Sequence, residues 1–344
     1  MMRLHRCFQS RQIIERAYQV ANDLLRVIML GNRGVGKTSL LASMYDEFEG
    51  SIDAGFTLSI PDMQTAEMID TRLAQLKGVM DAPDTTIKPM IGNREESTYR
   101  FTLTRERILG TLARPPLDIQ FFDYPGAWTI ASNPGNKQVQ EQLAQSLATI
   151  IVIDSPALMH EGGKYNDIVN IPKQINTIMQ NTLETHRKHL ILFVPMKCET
   201  YVETDIETTL IKCIHKAYSP LISHIVENNF ASAILPVRTL GNVRFKGYEA
   251  GVSGSLEAVF EKTTPKARYS PRDSDQPLKY ILNFLFKYYR DKSNDDWGFF
   301  KGIRDWAGKL VLDTDIDSMF ANVSLRINQE SPFKIISGRE QFKL

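Results

Sequence analysis

The stretch GNRGVGKTS, Gly31 to Ser39, constrains this 344-residue chain more than any other. It fits Gly-x-x-x-x-Gly-Lys-Thr from Gly31 to Thr38. The apolar run RVIML precedes it and the helically spaced SLLASMYDEF follows it. That strand–loop–helix setting is what a phosphate-binding loop requires. Gly31, Gly34 and Gly36 let the backbone curl so that its N–H groups point at phosphate oxygens. The helix that follows adds its positive end. Lys37 can reach the β- and γ-phosphates, and the Thr38 hydroxyl is placed to ligate Mg²⁺. A chance glycine-rich turn is the bland alternative, and the flanking elements argue against it.

The rest of the chain alternates strand and helix signals. Six strands are expected, from RVIML, TYRFTLTR, PLDIQFFD, TIIVID, HLILFVPMK and SAILPVRTLG. Helical runs lie between most of them, including PDMQTAEMIDTRLAQLKGVM and GNKQVQEQLAQSLA. A third, around YNDIVNIPKQINTIMQ, carries a bend expected at Pro172. The pattern implies a three-layer α/β fold, a mostly parallel six-stranded sheet with helices on both faces. Ligands of such sheets sit beyond the carboxyl ends of the strands, and every motif discussed here falls there.

Bulk composition excludes several classes. With 41 basic and 40 acidic residues there is no electrostatic footprint for nucleic acid. Three scattered cysteines, Cys7, Cys198 and Cys213, fit neither a disulfide scaffold nor a zinc site. The six histidines show no metal spacing. Arg11, Glu15 and Arg16 interrupt any signal-like apolar run, and nothing reaches the roughly 20 apolar residues of a membrane span. A soluble cytoplasmic protein is the expectation.

A phosphate-binding loop needs an acid at a strand end for the Mg²⁺ shell. Asp123 closes IQFFD and Asp154 closes TIIVID. Asp154 follows the more hydrophobic strand. Asp123 begins DYPG, which puts Gly126 three residues later in an Asp-x-x-Gly arrangement. There the acid holds magnesium and the glycine amide senses the γ-phosphate. That second feature favours Asp123, and Asp154 stays as the alternative, an ATPase-like one.

Taken in order, GNRGVGKTS, FFDYPGAW and VPMKCE resemble the P-loop GTPase superclass of translation factors and Ras-like proteins. DYPG-x-W, P-x-K-C-E and PVRTLGNV are similar, more narrowly, to the bacterial double-GTPase families of conflict (defence) systems. The resemblance covers residues 26–290 and implies a molecular switch with GTP or GDP bound and Mg²⁺ held by Thr38 and Asp123. Lys37, Thr38, Asp123 and Gly126 would carry the chemistry. Gly31, Asn32, Arg33, Gly34, Val35, Gly36, Lys37, Thr38 and Ser39 would cradle phosphates. Lys197 and Glu199 would meet the base, and the turn at Thr239 and Leu240 would offer an amide to the guanine oxygen. The implied organisation is an N-terminal helix (1–25), a GTPase-like domain (26–260) with a switch-region insertion (49–97), a linker or loop (261–277) and an aromatic C-terminal helical extension (278–344).

The chain departs from that pattern in three places. Met196 stands where the family has asparagine, Ala127 where many members have a water-orienting glutamine, and the first-switch threonine is open among Thr85, Thr86 and Thr98. Slow hydrolysis is therefore expected unless Arg33 or a partner's arginine assists. Glu199 can still select guanine, because a carboxylate accepts from both N1–H and the 2-amino group, neither of which adenine offers. Protein partners are implied by the resemblance. A nucleotide-stabilised scaffold without turnover is the remaining alternative. Packing on the sheet explains the aromatic tail, and partner docking or contact with a membrane surface are its other readings.

Overall fold

The computed structural model describes residues 24–49, 56–88, 96–105, 116–183, 188–201, 205–250, 256–290 and 333–342. The expected N-terminal helix lies outside these residues, except that Leu24 and Leu25 already belong to the first strand. Trp297, Phe299, Phe300 and Trp306 of the tail also lie outside them.

The main sheet contains all six expected strands: β1 (Leu24–Leu30), β4 (Ser97–Arg105), β5 (Leu117–Asp123), β6 (Ala148–Asp154), β7 (Leu190–Met196) and β8 (Ala231–Ile234). Two short edge strands, β2 (Phe56–Ser59) and β11 (Lys334–Ser337), raise the count to eight, in the order β11-β8-β7-β6-β1-β5-β4-β2. The five strands from β8 to β5 run parallel; β4 and β11 run against them, and β2, paired antiparallel with β4, returns to their direction. Every residue of β6 and β7 is buried, as a central strand covered on both faces requires.

Alternate residues of β1 point to two cores. Leu25, Val27 and Met29 face α1 (Lys37–Glu49), α2 (Met63–Asp81) and α9 (Gln276–Arg290). Ile28 and Leu30 face α3 (Asn136–Gln145), α6 (Pro172–Thr182), α7 (Asp205–Ala217) and α8 (Ser219–Glu227). The tail's contribution to the first core includes Tyr280 and Phe284, both almost fully buried, so this part of it packs on the sheet.

Local chemistry sets the element ends. Asp62 caps α2, its carboxylate accepting the Thr65 amide at 2.8 Å. The bend at Pro172 takes the form of a break. Short α5 (Asn166–Val169) ends, Ile171 adopts φ 44°, and α6 restarts with Pro172 as its first residue. Proline disfavours right-handed helical backbone in the residue before it, which ends the helix here, and the left-handed backbone of the β-branched Ile171 is strained.

A second, three-stranded antiparallel sheet was not anticipated. β9 (Val243–Ala250) and β10 (Leu256–Lys262) form a hairpin, and β3 (Thr86–Ile87) of the 49–97 segment pairs with β10. The segment expected as a linker or loop, 261–277, is held to the neighbouring elements at both ends. Its first residues complete β10, and Ser274, Asp275 and Gln276 are buried at the start of α9. Between them, the 238–241 turn is bridged to the chain at Tyr269 and Arg272. Among the described residues no helix is long and apolar enough to cross a membrane.

Candidate functional site: a phosphate loop facing an acidic base-end turn

A cavity of about 420 Å³ opens at the carboxyl ends of β1, β5 and β7, where the strand order places a ligand. The phosphate loop forms its floor, with Gly31, Gly34 and Gly36 all at positive φ. The Lys37 ammonium donates to the Gly31 carbonyl at 2.6 Å and the Asn32 carbonyl at 3.2 Å, and it lies 3.3 Å from Asp123 Oδ1. Both ends of that ion pair are buried. Burial pushes the Asp123 carboxyl above the usual carboxylate range, and the Lys37 charge opposes the shift.

Gly126 begins a short 3₁₀ turn immediately beside the loop. A methyl group there would meet the Asn32 Cα at 2.6 Å and its Oδ1 at 2.7 Å. The Asp-x-x-Gly segment and the phosphate loop are thus in direct backbone contact. Asn32 is tied on its other side to α5, donating to the Ile168 carbonyl at 3.0 Å.

Asp154 occupies a different place. Its Oδ1 accepts the Ala157 amide at 2.9 Å and the Tyr248 hydroxyl at 3.1 Å, and its Oδ2 pairs with Lys197 at 2.5 Å. Asn170 clamps its backbone from both sides, accepting from the Asp154 amide and donating to its carbonyl. This carboxylate thus ties together Lys197, Tyr248 and the start of α4 (Ser155–Met159). Lys197, at φ 58°, also donates to the Gly34 carbonyl at 3.0 Å and so spans from β6 to the phosphate loop.

At the opposite end of the cavity, Glu199 Oε1 accepts from the Leu240 amide at 3.0 Å and the Gly241 amide at 3.3 Å. The amide that the resemblance assigns to a guanine oxygen is therefore donated to Glu199 in this structure. Burial raises the Glu199 carboxyl pKa, and these backbone donors act against the rise. Met196 is fully buried below the loop, its Cε 3.4 Å from where a Gly36 side chain would begin. It lines the cavity with apolar surface. Cys198 is an interior thiol, pushed up to about 12 by burial, and so is inert.

Of the residues expected at the site, Asn32, Arg33, Gly34, Gly36, Lys37, Thr38, Ser39, Asp123, Gly126, Lys197, Glu199, Thr239 and Leu240 all line this one cavity. Arg33 is exposed at its mouth, and Val35 is buried beneath the loop. Thr85, Thr86 and Thr98 are exposed and do not line it. On β4 the side chains alternate, and it is Ser97, paired across the sheet with Asp123, and Tyr99 that share the inner face. Tyr99 is fully buried, and its hydroxyl is hydrogen-bonded to Thr38 and Ser97.

Three contributions were missed from sequence. Arg72 and Leu76 of α2 reach the cavity, Tyr99 touches Thr38, and Ile87, Val243, Ala258 and Phe260 of the second sheet make an apolar wall. Among the described residues no group of His, Cys, Asp and Glu side chains has the arrangement of a metal site formed by protein ligands alone. Thr38 and Asp123 are the two oxygen donors suited to Mg²⁺, which characteristically completes its shell with water and substrate phosphates.

The fold and site together define a phosphate-loop α/β protein, with the loop between β1 and α1 and an acid on the neighbouring β5. No protein-family model matches the chain, and no curated protein matches it. Among solved structures, it is similar to the GTPase-like domain of S. cerevisiae Ski7 bound to GTP, at 15% identity and a TM-score of 0.34, covering 64% of this chain and 44% of that one. The same domain bound to GDP and inorganic phosphate aligns at 14% identity and a TM-score of 0.32, covering 63% and 43%. The bacterial dynamin GTPase LeoA from ETEC aligns at 14% identity and a TM-score of 0.30, covering 88% and 40%. This chain spans less than half the length of each.

Proposed function

We propose that this protein is a guanine-nucleotide-binding switch that hydrolyses GTP slowly with Mg²⁺ and acts on protein partners. The observation carrying the proposal is one cavity with Lys37 and Asp123 at one end and the Glu199–Leu240 turn at the other. A triphosphate suits the first end and a purine with two donors on one edge suits the second. A carboxylate has about four lone-pair sites, and two backbone amides use part of that capacity. Lys197, stretched between Asp154 and the Gly34 carbonyl, supplies an alkyl stem between the two ends for a base to lie against.

Thr38 and Asp123 would hold Mg²⁺, which when bound neutralises charge on the β- and γ-phosphates. Lys37 and the loop amides would bind those phosphates, and the Gly126 amide would report the γ-phosphate, a reading supported by the close approach of Gly126 to Asn32 of the loop. The partners implied by the resemblance, including a role in a bacterial defence assembly, belong to the same proposal.

Competition binding tests it. Fluorescent GTP should be displaced by GTP and GDP but not by ATP, with Lys37→Ala as the blank; equal displacement by ATP ends the guanine reading. Glu199→Asn should weaken GTP by about 10-fold or more and shift preference toward xanthosine nucleotide, since its amide donates to the carbonyl replacing the 2-amino group. An unchanged preference removes Glu199 from the base site.

A further inference from the structure

α2 buries Thr65, Ile69, Arg72, Leu73, Leu76 and Met80, a helical stripe in which one position is an arginine. Arginine on the apolar face of an amphipathic helix is costly, because its guanidinium leaves water. Arg72 is only 7% exposed, and burial lowers its pKa. Leu76, one turn further along, lines the same cavity as Arg72, so this face of α2 is directed at the ligand space.

The surroundings of Arg72 belong to the phosphate end. Its electrostatic neighbour is Tyr99, whose hydroxyl is bonded to Thr38 and which also feels the Asp123 charge. Arg72, Tyr99, Thr38, Asp123 and Lys37 thus form one connected group, with Arg72 as the second cation. Arg33 also lines the cavity but is exposed at its mouth, and Lys197 is held between Asp154 and the Gly34 carbonyl.

We propose that Arg72 is a catalytic residue, an arginine supplied by the protein's own α2 that contacts the γ-phosphate oxygens during hydrolysis. The proposal rests on the GTP reading above. Water attacks the γ-phosphorus and the bond to the β–γ bridging oxygen breaks. The electron pair leaves on that oxygen as GDP, and the water's proton goes to a γ-phosphate oxygen to give inorganic phosphate. Negative charge grows on the bridging and γ-oxygens in this step, and a fixed guanidinium stabilises it without solvent reorganisation. This role does not need the glutamine that Ala127 replaces.

Single-turnover hydrolysis of GTP with Mg²⁺ is compared in the full chain for wild type, Arg72→Ala and Arg72→Lys. Affinities for GDP, a non-hydrolysable GTP analogue and GDP with aluminium fluoride are measured beside it. Arg72→Ala should lose turnover by about 100-fold or more while GDP affinity stays within about 3-fold. It should also fail to trap GDP–aluminium fluoride, and Arg72→Lys should recover part of both. Turnover in Arg72→Ala equal to wild type overturns the proposal. So does a parallel loss of GDP affinity and melting temperature in both variants, which marks a packing role. If wild type prefers ATP, the guanine reading fails, and the same comparison run with ATP still decides the role of Arg72.

Discussion

At the scale of single residues, the two strand-end acids divide the labour. Asp123 faces Lys37, whereas Asp154 is consumed by Lys197, the Ala157 amide and Tyr248. Asp123→Asn should lose Mg²⁺-dependent turnover, and breaking the buried pair with Lys37 should cost about 3–5 kcal/mol of stability. Asp154→Asn should keep that dependence and instead weaken nucleotide binding about 10-fold, because Lys197 loses its anchor. It should also cost about 2–4 kcal/mol of stability, as breaking a buried pair leaves the partner charge uncompensated. A magnesium titration of turnover in both variants checks this, and the reverse pattern would transfer the metal role to Asp154. The loop residues Gly31 to Thr38 were legible in sequence because they are contiguous and bound by one loop's geometry, and Asp123 and Gly126 because their spacing is short. Arg72 and Tyr99 were not, since their relation to Thr38 is made across the sheet. The signals were nonetheless present, in an arginine on the apolar stripe of α2 and in the alternation of TYRFTLTR, which puts Tyr99 on the face of Asp123.

At the scale of elements, the long central strands announce themselves because apolar residues fill both faces. β2 and β11 do not, being four-residue edge strands, and β3 has only two residues. The β9–β10 hairpin was hidden by polar residues on its outer face, for β9 exposes every second side chain over its first half. Its consequence is functional, because Phe260 of β10 pairs with Ile87 of β3 and both line the cavity. A wall assembled from the segment before β4 and the hairpin after β8 covers the ligand space opposite the phosphate loop. Phe260 also packs edge-on to Phe245, with ring centres 5.6 Å apart. Phe260→Leu keeps most of the apolar volume and removes the flat ring. Dissociation of fluorescent nucleotide, followed after adding excess unlabelled GTP, should accelerate about 3- to 10-fold with little change in melting temperature. An unchanged off-rate would mean that the wall does not touch the nucleotide.

At the scale of the whole molecule, the end of α1 is fastened to the segment leading into α9 through Glu47. The Ser274 amide donates to Glu47 Oε2 at 2.5 Å, while Asp275 pairs with Lys279 and Asp273 with Arg238. Burial, followed by repulsion from Asp275, raises the Glu47 pKa from 4.5 to about 7, against the bond from Ser274. The folded state therefore holds a proton on Glu47 between about pH 4.5 and 7 that the unfolded chain releases. Where the native state binds more protons, stability falls as pH rises, so this group favours folding at low pH and its contribution is lost through that window. Glu47 is half-buried, which limits the effect to about 1–2 kcal/mol. Glu47→Gln keeps an oxygen for the Ser274 amide and cannot ionise. Its melting temperature should match wild type at pH 5 and exceed it by about 2–4 °C at pH 8. Thermal melts of the two proteins across pH 5 to 8 measure the difference directly. A constant difference across that range would show that Glu47 does not titrate there and that the fastening of α1 to α9 is insensitive to pH.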